Sequence, residues 1–259
     1  MHAPHAPRAT GVSLVAALSA ALGACAPATR TTPAPVPAPA PAPAATTAAV
    51  VPASVRWTRV SAEHRALYTE IYRFAGRHIE ELATGLAAGT WGVILDADET
   101  VLDNSPYELG RARLDSAFTP ASWAAWVRRS AAPALPGAAA FIAHVHEIGG
   151  RVVIVTNRAD EQCGDTRENF RALAIAVDTV LCQHGSESDK NARFDAVQRG
   201  VGTLPPLRVL MWVGDNIQDF PHTTQALRDA PDSALAPFGD RFIVLPNPMY
   251  GSWEKNEVK

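Results

Sequence analysis

The chain has 259 residues, of which 47% are hydrophobic and 19% are charged. This length suits one sizeable catalytic domain or two small ones. The formal net charge is only −3, and the sequence has no cluster of basic residues. This composition excludes nucleic-acid binding through broad phosphate neutralisation and leaves small charged or phosphorylated ligands open.

Residues 1–24 have the pattern of an export signal. A weakly basic start precedes an Ala-rich apolar run at 11–22, which is too short to span a bilayer as a mature helix. The run closes on LGAC at 22–25, which resembles a bacterial lipoprotein signal. This resemblance implies cleavage before Cys25 and lipidation of Cys25. An ordinary secretory peptide with an incidental cysteine is the alternative, and both interpretations predict export.

Acyl chains on Cys25 would tether the protein, because each buried methylene contributes about 0.8 kcal/mol. Ala26 rather than aspartate follows Cys25, and in this resemblance that choice favours the outer membrane. We therefore expect a lipid-anchored protein of the bacterial cell envelope that faces the periplasm or the surface. The remainder of 25–54 is nearly all Ala, Pro and Thr, which predicts an extended linker ahead of a domain at 55–259.

Two further cysteines, Cys163 and Cys182, lie in the predicted domain. An oxidising compartment permits a disulfide between them, but the sequence alone leaves two separate buried thiols equally open. A CxxC pair or a Cys/His ligand spacing is absent from the sequence, so nothing in it supports a structural zinc site.

Helix and strand patterns alternate along this domain. The predicted helices are 55–86, 118–128, 137–148, 166–173, 189–198 and 223–228, and the predicted strands are 89–96, 151–155, 177–182, 208–213 and 241–245. Strands that are apolar throughout are typical of a parallel sheet covered on both faces. The alternation therefore predicts an α/β fold with a three-layered, mostly parallel sheet. Residues 105–136 are expected to form part of a smaller helical cap region.

Aspartate pairs follow two of the predicted strands. Asp96 and Asp98 end the strand at 89–96, and Asp215 and Asp219 follow the strand at 208–213. Open α/β sheets bind ligands at the carboxyl ends of their strands, where converging carboxylates can hold Mg²⁺ together with waters and a phosphate. The sequence therefore predicts phosphate-ester hydrolysis. A plain Ca²⁺ site or a set of helix caps is the alternative, and Asp219 alone would suit a cap.

Four segments together resemble a known family. They are Asp96-x-Asp98-x-Thr100, then Thr156, then Lys190, then Gly214-Asp215-x-x-x-Asp219. This order resembles the haloacid-dehalogenase (HAD) superfamily of aspartyl-phosphate hydrolases, which implies a HAD-like Rossmannoid core. The strings LDADETVLDNSPYE, VTNR, VGDNIQDF and LPNPMYGSWE resemble one branch, the class C bacterial acid phosphatases, which are four-aspartate lipoproteins. The resemblance covers the chain from Trp57 to Glu254.

The candidate catalytic residues are Asp96, Asp98, Thr156 and Lys190. Asp96 is the candidate nucleophile, and Asp98 would protonate the leaving group and then activate water. Thr156 would donate a hydrogen bond to the transferring phosphoryl group, and Lys190 would supply positive charge beside it. Taken alone, Lys190 also suits a solvated helix face, and Thr156 suits a strand end.

The expected cofactor is Mg²⁺. Its ligands would be Asp96, the backbone carbonyl of Asp98 and Asp215, with Asp219 as a further ligand or as a residue that holds a bound water.

Aromatic segments near the motifs resemble those that clamp the leaving group in this family. Trp123 and Tyr250 are the candidates, with Tyr107 and Trp253 as weaker ones, and each is equally suited to a core position. Stacking on such a ring contributes about 1–3 kcal/mol. Asn157, which follows Thr156, is a further substrate-binding candidate, whereas the neighbouring Arg158 is assigned no contact.

The expected function is that of an exported, Mg²⁺-dependent acid phosphatase, which hydrolyses phosphomonoesters such as nucleoside monophosphates and aryl phosphates. Its expected partners are these small substrates and a membrane, reached through the lipid anchor, and a homodimer remains open. The alternatives are a non-catalytic surface lipoprotein that binds a nucleotide-like ligand and a phosphotransferase that uses the same intermediate.

Overall fold

The structure, a computed structural model, describes residues 50–258. The predicted signal, Cys25 and most of the predicted linker therefore lie outside the described residues. Within 50–258, no helix combines the length and the apolar character that crossing a membrane requires. The first helix begins at Ala53, close to the predicted start of the domain.

Five strands form one sheet. They are β1 (Trp91–Leu95), β2 (Arg151–Ala159), β3 (Thr179–Gln183), β4 (Arg208–Gly214) and β5 (Phe242–Val244). Their order is β3-β2-β1-β4-β5, and every neighbouring pair is parallel. The prediction of a mostly parallel sheet is confirmed. The chain builds the sheet outward from β1 on one side and then restarts at β4 on the other, which opens a crevice between the ends of these two strands.

Seven α-helices and several 3₁₀ turns precede, connect or follow the strands of the described chain. The helices are α1 (Ala53–Val60), α2 (Ala62–Ala83), α3 (Ser105–Arg113), α4 (Pro120–Val127), α5 (Ala138–Glu147), α6 (Cys163–Ala172) and α7 (Asn191–Arg199). The 3₁₀ turns are Asp160–Gln162, Ile217–Asp219, Gln225–Asp229, Asp232–Leu235 and Ser252–Lys255. The segment predicted as helix at 223–228 forms one of these turns.

The sheet has an apolar cluster on each face. Val93 and Leu95 of β1 pack into a cluster with buried residues of α2, α5 and α6, such as Ile79 and Phe170. Ile94 points the other way, into a cluster with residues of α7. Alternate residues of a strand face opposite sides of a sheet, so an uninterrupted apolar strand needs helices on both faces. The three-layered α/β architecture predicted from the sequence is thereby confirmed.

The predicted helix at 55–86 is two helices, so this prediction was wrong. Ser61 lies between α1 and α2 with an extended backbone (φ −82°, ψ 142°). Its hydroxyl accepts a hydrogen bond from the backbone N–H of His64 at 3.0 Å, which caps α2. Apolar residues lie on both sides of Ser61, so the segment was interpreted as one helix, although Ser61 also suits a helix start.

The two cysteines of the domain form a disulfide. Cys163 begins α6 and Cys182 lies in β3, with their Cα atoms 5.9 Å apart and the two residues separated by 19 in sequence. Of the two alternatives left open by the sequence, the structure has the disulfide, which ties α6 to β3 at that edge of the sheet.

Candidate active site

Three aspartates meet at the crevice between β1 and β4. Asp96 follows β1 directly, Asp215 follows β4, and Asp219 ends the turn Ile217–Asp219. One carboxylate oxygen from each lies within 4.8 Å of the others. The backbone N–H of Asp96 also donates to the carbonyl of Val213 at 3.0 Å, which fixes the two strand ends together.

Gly214 allows Asp219 to turn back over the end of β4. A Cβ atom at Gly214 would lie 2.2 Å from the Cβ of Asp219, a distance that real side chains do not reach. The backbone N–H of Asn216 then donates to Oδ2 of Asp219 at 2.8 Å. The glycine in the GDNIQD segment is therefore required by the close approach of Asp219.

Lys190 places an ammonium group among these carboxylates. It precedes α7, and its buried Nζ lies 2.5 Å from Oδ1 of Asp96 and 2.6 Å from Oδ1 of Asp219. Burial opposes the charge on Lys190, but Asp219 and Asp96 outweigh it and raise the pKa of Lys190 above its ordinary value. The lysine is thus charged and shared by two acidic side chains.

The cluster has three carboxyl groups and one ammonium group. Burial raises the pKa of Asp96 to about 7 despite the opposing effect of Lys190, and the carboxylates of Asp219 and Asp98 add to this rise. Burial, followed by the charges of Asp219 and Asp96, also raises the pKa of Asp215 well above its ordinary value. Three converging hard oxygen donors, two of them buried, whose ionised forms repel one another fit a divalent cation. Asp96, Asp215 and Asp219 are the residues that could hold it.

Two neighbouring polar side chains orient Asp215. The hydroxyl of Thr100 donates to its Oδ1 at 3.3 Å, and Nδ2 of Asn247 donates to its Oδ2 at 2.9 Å. Asn247 belongs to the LPNPMYGSWE segment. Its contact with Asp215 was not predicted from the sequence.

The carboxylate of Asp98 makes a separate set of contacts. Arg158 donates to Oδ1 through Nη2 at 2.7 Å and through Nε at 3.0 Å, and Asn104 donates to the same oxygen at 2.8 Å. Asn104 is held in turn by Trp126, whose Nε1 donates to its Oδ1 at 2.8 Å. The side chain of Asp98 is therefore bound to Arg158, whereas the Asp96 carboxylate is bound to Lys190.

Thr156 and Asn157 lie within β2, which continues to Ala159 rather than ending at residue 155. Thr156 is fully buried, and its Oγ1 accepts a hydrogen bond from the backbone N–H of Arg158 at 3.2 Å. The Asn157 amide is fixed from both ends. Its Nδ2 donates to the carbonyl of Ser188 at 3.0 Å, and its Oδ1 accepts from Arg193 at 2.6 Å.

The carboxylates open into a cavity of about 560 Å³. Its lining residues are Asp96, Asp98, Glu108, Phe118, Trp123, Asn157, Lys190, Asp215, Asn216, Gln218, Asp219, Met249, Tyr250 and Glu254. The structure therefore brings together the predicted carboxylates, Lys190 and the candidates Trp123, Tyr250 and Asn157. Tyr107 lies behind Trp123, with ring centroids 5.3 Å apart, whereas Trp253 is 42% exposed.

Several residues of the site were missed in the sequence. Arg158 is the main one, and the strand period offered a signal, since Thr156 and Arg158 are two apart and point to the same side of β2. Glu108 and Phe118 come from α3 and from the loop before α4. Their place in the cavity wall depends on how this segment folds back over the sheet, which no local pattern specifies. Cys25, the predicted lipidation site, lies outside the described residues.

Known proteins are similar to this chain in sequence and in fold. The sequence profile described as HAD superfamily, subfamily IIIB (Acid phosphatase), matches residues 15–253. "Acid phosphatase 1" of Solanum lycopersicum is 26% identical over 159 residues, which are 61% of this chain and 57% of that protein. The chain therefore spans just over half of the length of this relative.

Solved structures agree with the sequence match. The class C acid phosphatase from Bacillus anthracis superposes with a TM-score of 0.69 at 28% identity, covering 78% of this chain and 85% of that one. A second structure of that enzyme, with tungstate bound, matches equally well. The resemblance to class C acid phosphatases inferred from the motifs is confirmed. The chain belongs to the acid phosphatase family that forms subfamily IIIB of the HAD superfamily.

Proposed function

We propose that this protein is a phosphoric monoester hydrolase, a Mg²⁺-dependent acid phosphatase that acts through a phosphorylated Asp96. One observation carries the proposal. Asp96 sits buried at the crevice of the sheet, bonded to Lys190 and beside Asp215 and Asp219, and it lines a cavity large enough for a small phosphate ester. Family membership and the likeness to class C acid phosphatases support the same activity.

In the first half of the reaction, a carboxylate oxygen of Asp96 attacks the phosphorus of the ester. The bond between phosphorus and the leaving oxygen breaks, and its electron pair stays with that oxygen. Asp98 gives its proton to the leaving oxygen, so the departing group is a neutral alcohol or phenol. The products of this half are a phosphoryl group on Asp96 and an ionised Asp98.

In the second half, water attacks the phosphorus of phosphorylated Asp96. Asp98 accepts a proton from this water, and the bond between phosphorus and the Asp96 oxygen breaks. The electron pair returns to the Asp96 carboxylate, and inorganic phosphate leaves. Asp98 regains its proton in this step, so both carboxyl groups are ready for another cycle.

Positive charge and hydrogen bonds lower the barrier of both halves. Lys190 neutralises part of the charge on Asp96 and on the phosphoryl oxygens, and the Thr156 hydroxyl would donate to one of those oxygens. A Mg²⁺ ion held by Asp96, Asp215 and Asp219 would offset the repulsion between the attacking carboxylate and the phosphate.

The proposed substrates are phosphomonoesters with aromatic leaving groups, such as aryl phosphates and nucleoside monophosphates. Trp123, Phe118 and Tyr250 give the cavity aromatic walls on which such a group can stack. The tungstate bound to the Bacillus anthracis enzyme supports a site for tetrahedral oxyanions, since tungstate and phosphate share that shape.

Export and lipid anchoring through Cys25 belong to the same proposal, with the outer membrane as the location. The signal-like residues 1–24 support it, and a disulfide between Cys163 and Cys182 suits an oxidising compartment. Labelling of the full chain with a radioactive fatty acid in a bacterial host tests it. We expect label in the wild type and none in Cys25→Ser, and equal labelling of both would contradict the anchor.

Phosphate release tests the activity. The full chain is assayed with p-nitrophenyl phosphate and a 5′-nucleotide at mildly acidic pH, with Mg²⁺ or with EDTA, beside Asp96→Asn. We expect turnover that requires the metal and is lost in the variant. A folded wild type without turnover would instead favour ligand binding, and transfer to an added alcohol would identify a phosphotransferase.

A further inference from the structure

The two oxygens of the Asp98 carboxylate have unequal surroundings. Oδ1 accepts three hydrogen bonds of 2.7, 2.8 and 3.0 Å from Arg158 and Asn104. Within the described chain, Oδ2 accepts one bond of 3.2 Å, from the Nε that also contacts Oδ1. Hydrogen-bond donors therefore occupy Oδ1, whereas Oδ2 keeps room for a further hydrogen-bond partner.

Arg158 contacts the Asp98 carboxylate from the protein interior. Its side chain is only 1% exposed, whereas that of Asp98 is 18% exposed and lines the cavity. Beyond its contacts with Asp98, the guanidinium donates to Oγ1 of Thr166 and to Oδ1 of Asn104, each at 3.3 Å. The arginine is therefore fixed at several points behind Asp98, where the substrate does not reach it.

The same guanidinium contacts the wall of the leaving-group cavity. Its central carbon lies 5.5 Å from the ring centroid of Trp123, a distance suited to a cation–π contact. Trp123 lines the cavity, so Arg158 joins the residue beside the leaving group to the residue that would protonate it.

We propose that Arg158 is a positioning residue for leaving-group protonation, because it occupies Oδ1 of Asp98 and leaves Oδ2 to deliver the proton. This inference rests on the proposed phosphatase activity. In the phosphoryl-transfer step, the Oδ2–H bond breaks as the new O–H bond forms on the leaving oxygen, and the electron pair of the Oδ2–H bond remains on Asp98. Arg158 exchanges no proton in this step.

The leaving group itself provides the test. A leaving oxygen that is strongly basic, as in an alkyl phosphate, needs the proton, whereas p-nitrophenolate departs with little help. The value of kcat/KM reports the step up to phosphoryl transfer, so it responds to the leaving group even when hydrolysis of the intermediate limits kcat. A variant with a misplaced Asp98 should therefore lose most activity with the least acidic alcohols.

The experiment measures kcat/KM of the full chain for a graded series of aryl and alkyl phosphates. The enzymes compared are the wild type, Arg158→Gln, Arg158→Lys and Asp98→Asn. For Arg158→Gln we expect a loss of about 10²-fold with alkyl phosphates and of less than about tenfold with p-nitrophenyl phosphate, given the usual contribution of a general acid. Arg158→Lys should fall between this variant and the wild type, because it keeps a positive charge and N–H donors but not the planar fork.

Arg151→Gln is the matched control, because Arg151 pairs with Asp178 on the surface, away from the cavity. It should leave the dependence on the leaving group unchanged. An equal loss across the whole series in both Arg158 variants would overturn the inference and make Arg158 a structural or phosphate-binding residue. If Arg158→Gln does not fold, the dependence of kcat/KM on the acidity of the leaving alcohol in Arg158→Lys tests the inference instead. A wild type without any turnover would instead refute the phosphatase proposal itself.

Discussion

The ammonium group of Lys190 lies 2.5 Å from the carboxylate of Asp96, although the two residues are 94 positions apart. The contact joins the start of α7 to the end of β1, and both side chains are buried. A buried ion pair of this kind is costly to form and more costly to break from one side. The pair therefore matters for stability as well as for the proposed chemistry.

Replacement of Lys190 by methionine should destabilise the protein when no metal is present. The change leaves the carboxylates of Asp96 and Asp219 without their shared cation, and we expect the free energy of unfolding to fall by about 3–5 kcal/mol in EDTA. Mg²⁺ should recover part of this loss, and activity should fall by about 10²-fold or more. Urea unfolding with and without Mg²⁺ measures the effect. The same loss of stability in both conditions would contradict the idea that Lys190 and Mg²⁺ neutralise the same carboxylates.

Divalent metal should stabilise the wild type through the aspartate cluster. Binding to the folded state alone adds about 2.7 kcal/mol when the ligand is at one hundred times its Kd. We expect Mg²⁺ to raise the melting temperature of the wild type and to have little effect on Asp215→Asn. Asp195→Asn is the control, because Asp195 is exposed on α7 and contacts only Arg199 at 3.8 Å among the ion pairs of the described chain. A melting curve of Asp215→Asn that responds to Mg²⁺ as the wild type does would place the ion elsewhere.

Truncation of Trp123 should weaken binding of aromatic substrates. Loss of a stacking surface costs about 1–3 kcal/mol, which is roughly 5- to 150-fold in affinity. We expect Trp123→Ala to raise KM for an aryl phosphate and a 5′-nucleotide more than for a small alkyl phosphate. Trp253→Ala serves as the comparison, because Trp253 is 42% exposed and does not line the cavity. Equal effects of the two substitutions would argue against an aromatic clamp at Trp123.

Acid should weaken the fold through Asp178. Burial opposes ionisation of this carboxylate, but hydrogen bonds from the backbone N–H of Val152 at 2.7 Å, from His146 at 2.9 Å and from Arg151 at 2.8 Å outweigh it. The pKa of Asp178 is therefore below its ordinary value of 3.8. A carboxylate with a lowered pKa stabilises the folded state above the unfolded pKa, and this stabilisation is lost as the pH falls through the folded pKa.

We expect Asp178→Asn to lower the free energy of unfolding by about 1.5–3 kcal/mol at neutral pH, which is the usual range for hydrogen bonds to a charged group. The gap between variant and wild type should close as the pH falls below about 3.8, the unfolded-state value. Urea titrations across that range measure it. A gap that widens in acid would show that the carboxylate is not the stabilising form.

The sequence predicted the sheet and its acidic end because both are local patterns. Apolar runs followed by Asp96 and by Asp215 identify parallel strands, and parallel strands align their carboxyl ends at one edge. The break at Ser61 was missed because apolar residues lie on both sides of it, and a helix-start signal at Ser61 does not show that another helix ends there. The extension of β2 through Ala159 was missed because Thr156, Asn157 and Arg158 are polar.

Spacing places Arg158 on the same side of β2 as Thr156, but it does not identify the partners of Arg158 or of Lys190. Each contact is made across elements far apart in the chain, with Arg158 sixty positions from Asp98. Lys190 was found only through the resemblance to a family, and Arg158 was left without a role. Such pairings depend on the packing of α7 and on the path of the cap segment over the sheet, which are tertiary properties.

Direct detection of phosphorylated Asp96 tests the central claim. Asp98→Asn is mixed with p-nitrophenyl phosphate and Mg²⁺, quenched in acid and analysed by intact mass and peptide mapping. Asparagine cannot accept a proton from water, whereas a good leaving group departs without one, so the intermediate should accumulate. We predict one added phosphoryl group on the peptide that contains Asp96, and none in the double variant with Asp96→Asn. A phosphoryl group on another residue would contradict nucleophilic attack by Asp96. Turnover by the wild type, with no phosphoryl group on Asp98→Asn at any time point, would contradict it as well.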